Sequence, residues 1–449
     1  MSPSLTERLV PILRRPVGAE IRTHVTLHVL DWVGCAILGA TTDAGAVFRA
    51  EARARAPGPA AVVGGGRVEG RAAAFANGAF GNILEMDDLH REAILHPGPV
   101  VIAAALAAAE TTGASAERFL DAVVRGYEAM IRLGRALGPG HYRHFHPTGT
   151  CGPFGAAAAV GDLLGLDDGQ LVSALGNAGT QAAGLWQCRH EPVMTKQLHN
   201  ARAAEAGYAA ALLASFGLTG ARFILEGEQG LFAGMAPGAR PDDVTSEPNG
   251  AWLVTQTSLK PWPACRHAHA AIDAALVLRQ KRPEVLPVSI EVGTYPDAVA
   301  FCDRAEPRTS IEAKFSLQHA IAATLIDGPP QLAAFEPAGL GRADIAALRR
   351  RITVAVSEPY GSAYPRRFGS GLEARYQDGT TVAVAVHDAL GDPENPLSRD
   401  ALIAKAETLI AAAGRDADET RAVIRAALAL DQGGAIAGLT HQFTHRDLH

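Results

Sequence analysis

The sequence predicts a mainly helical fold: a large all-helical domain built from both chain ends, with a smaller α+β domain inserted. Three observations predict it. Apolar positions recur at helical spacing through much of the first 260 residues. Period-two alternation begins only after about residue 264. A helical pattern then returns over 399–430, beyond the Pro-rich stretch Gly391-Asp-Pro-Glu-Asn-Pro-Leu-Ser, where Ser398 is a candidate N-cap. The expected divisions are 1–263 and 396–449 for the helical domain and 264–395 for the α+β domain.

In chain order, Glu20–Leu38 reads as a buried helix. Two alanine-rich helices follow, one over 71–80 and one from Val101. Ala116–Leu137 is amphipathic: Phe119, Leu120, Val123, Tyr127, Met130 and Ile131 share one face and Glu117, Asp121, Arg125 and Glu128 the other. Ser115 is its expected N-cap. Further helices fit Gly155–Leu164, Asp168–Gly184 and Asn200–Ser215, the last stopped by Gly217. Strands are expected at 288–295, 351–356 and 381–387, with Asp378-Gly379 as a hairpin turn and one helix at Leu317–Leu325.

Composition narrows the function classes. The chain has 449 residues, 48% hydrophobic and 20% charged, with a net charge of −6. A mildly acidic surface gives no electrostatic reason to expect nucleic acid or an anionic membrane as partner. The N-terminal residues carry acid and base and lack an apolar h-region. The nearest membrane-span candidate, Pro99 to Ala109, is too short. Five widely spaced cysteines and no C-x-x-C argue against a disulfide framework or a local zinc site. A reducing cytoplasm is the expected compartment.

Four clusters carry more ionisable chemistry than their apolar surroundings require. The first, residues 84–100, holds Glu85, Asp87, Asp88, His90, Arg91 and His96. The second is His141-Tyr-Arg-His-Phe-His-Pro-Thr-Gly-Thr, the third Met194-Thr-Lys-Gln-Leu-His-Asn, and the fourth Lys260-Pro-Trp-Pro-Ala-Cys-Arg-His-Ala-His. Taken singly, each is an ordinary polar loop. Together they place His beside Lys or Arg at four helix junctions, on loops of the kind that carry sites.

The alternatives fit less well. Asp87, Asp88 and His90 offer metal-ligand atoms, but H-E-x-x-H is absent, and the two His-x-His alternations suit a strand. No metal is expected. Gly64-Gly-Gly-Arg-Val-Glu-Gly matches neither phosphate-binding pattern and reads as a turn. No G-x-S-x-G is present. Cys151 precedes a helix, where a thiolate is favoured, though a small buried residue is the simpler reading. Acid–base chemistry on an anionic substrate remains. Lys196, Arg266 and Lys260 pair with carboxylates, and the histidines move protons, all without a cofactor.

At these clusters the sequence resembles the MmgE/PrpD superfamily, which includes 2-methylcitrate dehydratase, cis-aconitate decarboxylase and iminodisuccinate epimerase. The landmarks are Asn77-Gly-Ala, the Asp-Asp…His-Pro element at 87–97, Gly126-Tyr-Glu…Arg132-Leu-Gly-Arg, Phe145-His-Pro-Thr-Gly-Thr-Cys-Gly-Pro-Phe-Gly, Thr195-Lys-Gln-Leu-His, Lys260-Pro-Trp-Pro and Glu312-Ala-Lys-Phe-Ser-Leu-Gln-His. They span essentially the whole chain.

The resemblance implies a helical domain with an α+β lid, a homodimer, and an active site between domains. It implies proton transfer by His96 and His146, carboxylate binding by Lys196, and a lid that brings His269 and His319 near the substrate. His319 falls where the decarboxylase has Tyr, Glu85 where it has Asp, and Leu89 or His90 near its Thr. One departure bears on the chemistry: the family's Asp-Phe-Asp-Asp-Thr is here Glu85-Met-Asp-Asp-Leu, and the gap to His96 is one residue longer than in the decarboxylase.

The expected activity is a lyase on a small di- or tricarboxylate, dehydration of a 2-methylcitrate-like molecule first. Decarboxylation, epimerisation and plain carboxylate binding are the alternatives. Asp87, Asp88, His96, His146 and His269 are the expected acid–base groups. Glu85, His90, Lys196, Lys260, Arg266 and His319 are the expected substrate contacts.

Overall fold

The computed structural model describes residues 2–191, 193–283 and 285–443. Two compact units emerge, residues 1–257 with 398–449, and residues 258–397. The sequence analysis placed these breaks at 263/264 and 395/396. Residues from 258 onward fall with the second unit because they are tied into it. Ser258 Oγ donates to Asp392 at 2.6 Å, and the Leu259 amide donates to the Gly391 carbonyl at 2.9 Å.

The first unit is mainly helical. Its long elements are Ala19–Thr41, Gly70–Phe80, Pro97–Thr112, Ala116–Tyr142, Pro147–Leu163, Asp168–Gly179 and Thr195–Ser215, followed by Arg399–Ala412 and Ala417–Leu428 from the chain's far end. Ser115 and Ser398 cap as expected, accepting the amides of Arg118 and Ala401. Gly217, at φ 95°, stops Thr195–Ser215 in the left-handed conformation its side-chain-bearing neighbours avoid.

Small residues let helices cross closely. A Cβ at Gly155 would lie 2.9 Å from the Gly126 carbonyl oxygen, and one at Gly126 would lie 2.8 Å from that of Gly155. Ala116–Tyr142 and Pro147–Leu163 therefore touch backbone to backbone there.

Two details depart from expectation. A two-stranded antiparallel ribbon, β1 (Pro57–Ala61) and β2 (Arg67–Val68), interrupts the helices, and the Gly64-Gly-Gly turn joins it. The longest apolar helix is Ala19–Thr41 rather than the stretch from Pro99. It is long and apolar enough to cross a membrane by length and composition, and 83% of its apolar window is buried. Arg399–Ala412 packs on it, with the Ala406 Cα 3.3 Å from where a Gly34 Cβ would stand.

The second unit has a four-stranded sheet, β3 (Ser289–Thr294), β4 (Ile352–Val356), β5 (Ser370–Arg375) and β6 (Thr381–Val386), in the order β4-β3-β5-β6. The β3–β4 pair is parallel; β3–β5 and β5–β6 are antiparallel. The Asp378-Gly379 turn closes β5–β6 as expected, with Gly379 at φ 81°. Ile290, Val292, Leu372 and Val384 face His269–Lys281 and Leu317–Asp327, burying one side of the sheet.

Candidate active site

The two His-Pro motifs define the site's frame. His96 and His146 are the N-cap residues of Pro97–Thr112 and Pro147–Leu163, each with Pro at the first helical position. Proline drives the residue before it out of the α region, and its missing N–H costs nothing at a helix start. Both histidines therefore sit in extended backbone at a helix mouth. Their ring centroids are 6.2 Å apart at 70°. A third helix, Thr195–Ser215, begins beside them and carries Lys196 in its first turn. Three helix N-termini thus gather around two imidazoles and an ammonium, an environment that favours anions.

The loop over 84–95 is built to hold one of those histidines. His96 Nδ1 lies 2.9 Å from an Asp87 carboxylate oxygen and 2.8 Å from the Asp88 carbonyl. Asn82 donates to the same Asp87 oxygen at 2.8 Å. With Nδ1–H committed to oxygen acceptors, His96 presents Nε2 as its basic atom. The loop is also conformationally costly. Glu85 at φ 59° and β-branched Ile94 at φ 49° are two of three described non-glycine residues with positive φ, and such strain persists where surroundings over-determine the backbone.

Asp88 is expected among the acid–base groups, and the structure gives it another task. Its oxygens accept from Tyr127 Oη at 2.6 Å, His28 Nδ1 at 3.0 Å and the Gly98 amide at 2.9 Å. A carboxylate so engaged pins the loop to three helices, Ala19–Thr41, Pro97–Thr112 and Ala116–Tyr142. Gly98 allows the approach, since a Cβ there would stand 2.7 Å from Asp88 Oδ1. Gly98→Ala is expected to loosen the His96 region and lower Tm, which thermal denaturation measures.

His90 is likewise turned inward. Its Nδ1 accepts the Ala93 amide at 3.2 Å, and its backbone pairs with Leu95. Burial, with Arg135 and Arg91 nearby, pushes its pKa down to about 3. Glu85, 1% exposed, pairs with Lys196 at 2.5 Å.

His146 is fully enclosed. Trp186 lies against its ring, centroids 4.3 Å apart, and its Nδ1 is 3.1 Å from His199 Nδ1. Burial, then His199 and Lys196, holds its pKa well below 6.5. His199 is lowered to about 4 by burial and Lys196. These rings are neutral at neutral pH.

Stability follows from this with a definite sign. His24 and His199 at about 4, and His90 at about 3, bind protons more weakly folded than unfolded. Each favours unfolding as pH falls below 6.5, by up to about 1.4 kcal/mol per pH unit until its folded pKa is reached. Tm is expected to fall between pH 6.5 and 4 more steeply in wild type than in a His90→Gln variant.

Four predicted residues belong to the second unit. Arg266 donates to His269 Nδ1 at 3.0 Å and to the Leu390 carbonyl at 3.2 Å, and it pairs with Asp392. His269 Nε2 lies 3.1 Å from the Ala264 carbonyl. His319 accepts from Arg349 at 3.2 Å and donates Nε2–H to the Ala334 carbonyl at 2.8 Å. Both histidines therefore have each ring nitrogen bonded within the unit, where they were expected to face substrate. Lys260 is fully buried. The His267-Ala-His269 alternation, expected in a strand, lies instead at the start of a helix.

Cys151 is the small buried residue of the simpler reading. It lies inside Pro147–Leu163, fully buried, and burial raises its thiol to about 12. Sequence reasoning passed over Asn82, Trp186 and Lys405, and quoted His199 in the third cluster without giving it a role. Only His199 carried a signal, three residues beyond Lys196 and so on its helix face.

The site is thus framed by paired His-Pro helix mouths with a lysine at a third. The chain belongs to the MmgE/PrpD family: the N-terminal domain model matches residues 14–243 and the C-terminal one residues 262–430. It is similar to a cis-aconitate decarboxylase of Aspergillus terreus, 28% identical over 90% of this chain and 87% of the relative. A cis-aconitate decarboxylase-like protein of Aspergillus oryzae is 28% identical over 94% and 93%. The human cis-aconitate decarboxylase is 28% identical over 72% and 70%.

Proposed function

We propose that the chain is a cofactor-independent lyase acting on a small di- or tricarboxylate by acid–base chemistry. The convergence of His96, His146 and Lys196 at three helix mouths carries this reading. Lys196 and the helix N-termini hold substrate carboxylates, with Glu85 as the counter-charge to Lys196. His96, its Nδ1 held by Asp87 and the Asp88 carbonyl, is oriented to exchange a proton through Nε2. Neutral His146 is suited to give a proton at one ring nitrogen while taking one at the other, so that the ring stays uncharged in its dry surroundings.

Within this class we favour loss of CO₂ from a cis-aconitate-like substrate over the dehydration that the sequence put first. The relatives that match most of the chain bear that activity in their names. Dehydration keeps one support: it needs a base and an acid together, and His96 and His146 stand 6.2 Å apart, ring to ring.

Lys196→Ala tests the reading. A charge-assisted hydrogen bond contributes about 1.5–3 kcal/mol, so carboxylate affinity measured by calorimetry is expected to weaken by about 10- to 150-fold, with turnover abolished. Unchanged affinity and kinetics would remove Lys196 from the site.

A further inference from the structure

His199 sits between the buried His146 and a cavity. That cavity, of about 560 Å³, is lined by residues including Gly149, Leu185, Cys188, Leu198, His199 and Arg202. Leu185 and Leu198 on its rim are 62% and 40% exposed, so the cavity meets solvent. His146 is 1% exposed and His199 9%. The two Nδ1 atoms, 3.1 Å apart, share a hydrogen bond in which one ring is the donor and the other the acceptor. Each ring then keeps its Nε2 for a different neighbour.

We propose that His199 is the second member of a proton-transfer pair, passing protons from this cavity to His146. This rests on the reading of His146 as a proton carrier. In the loaded state His199 donates Nδ1–H to His146, which carries its own proton on Nε2. During turnover the C–CO₂ bond breaks and its electron pair stays on carbon. His146 Nε2–H supplies the proton that forms the C–H bond. His199 Nδ1–H moves to His146 Nδ1, and a cavity water protonates His199 Nε2, leaving hydroxide. Each ring keeps one proton throughout. Reverse hops, started by a water at His146 Nε2, reset the pair.

The surroundings suit a neutral relay. Lys196 and His96 disfavour a second proton on His146, while Asp87 favours one; burial outweighs Asp87. Lys196 acts the same way on His199. The indole of Trp186 packs against the His146 ring, tilted by 32°, and limits its rotation.

Two variants separate relay from packing. His199→Asn keeps a hydrogen-bonding group near the Nδ1 position but cannot pass a proton through. His199→Ala leaves room beside the cavity for free imidazole. Both are expected to lose about 100-fold or more in kcat with KM changed less than about threefold. Added imidazole is expected to restore saturably the rate of His199→Ala. Wild-type kcat in either variant, or a loss that imidazole leaves untouched, overturns the proposal.

A second readout needs no substrate, so it holds even if the lyase reading fails. Nitrogen-15 NMR of histidine-labelled protein at pH 7 is expected to show His199 with its proton on Nδ1 and His146 with its proton on Nε2. Both rings protonated on Nε2, or either ring cationic, overturns it.

Discussion

His96→Asn is expected to lower kcat by about 10²- to 10⁴-fold while the protein stays folded. The size follows from the ring's commitments. Asp87, Asn82 and the Asp88 carbonyl together fix one tautomer and one orientation. Asparagine retains a hydrogen-bonding group toward Asp87 but has no atom that exchanges protons near neutral pH. Asp87→Asn is expected to act through the same bond. An amide presenting its NH₂ to Nδ1 turns that nitrogen into an acceptor, moves the ring proton to Nε2, and removes the base. Steady-state kinetics beside Tm checks both. Loss of activity with unchanged Tm fits the account; a fall in Tm of many degrees with near-normal kcat per folded molecule does not.

Lys405→Met is expected to destabilise the helical unit by about 3–5 kcal/mol. Lys405 comes from Arg399–Ala412, and its side chain is 7% exposed. Its ammonium donates to Asp31 at 2.5 Å and to the Met86 carbonyl at 2.6 Å. Burial is the largest single influence and works against its charge, but Asp31, Cys35 and Asp87 together outweigh it and raise the pKa. Because its pKa is raised, the stabilisation is full below about pH 10.5 and fades as pH climbs through the folded value. Removing the ammonium strands Asp31, whose own pKa burial already raises. Lys405→Met with Asp31→Asn should therefore recover much of the loss, as denaturant unfolding of the single and double variants would show. A Lys405→Met protein as stable as wild type would refute this. Met86 lies between Glu85 and Asp87, so the same substitution is expected to raise KM for carboxylates by freeing the loop.

The sequence's legibility followed the range of the interactions involved. Helix caps at Ser115 and Ser398, the stop at Gly217 and the Asp378-Gly379 hairpin are local, and local chemistry identified them. The His-Pro motifs were legible for the same reason: proline sets both the backbone before it and the helix after it. Long-range pairings were not. Nothing near Asp88 marked it as the acceptor for His28 and Tyr127, 60 and 39 residues away. Nothing near Lys405 announced a bond to Met86, 319 residues distant. The ribbon at 57–68 escaped because its residues, mostly Pro, Gly and Ala with a two-residue second strand, carry no strand periodicity. Cys151 was expected just ahead of a helix, but Pro147, four residues earlier, starts that helix and places the thiol inside it.

The central claim is that this site moves protons at a carbon next to a carboxylate. Proton NMR in D₂O with citrate, 2-methylcitrate, cis-aconitate and iminodisuccinate tests it most directly. Loss of CO₂ from the cis-aconitate-like substrate, with one deuterium entering the new C–H position, is the predicted result, and it should vanish in His96→Asn. Spectra unchanged for every substrate, with no deuterium incorporated, would contradict the account.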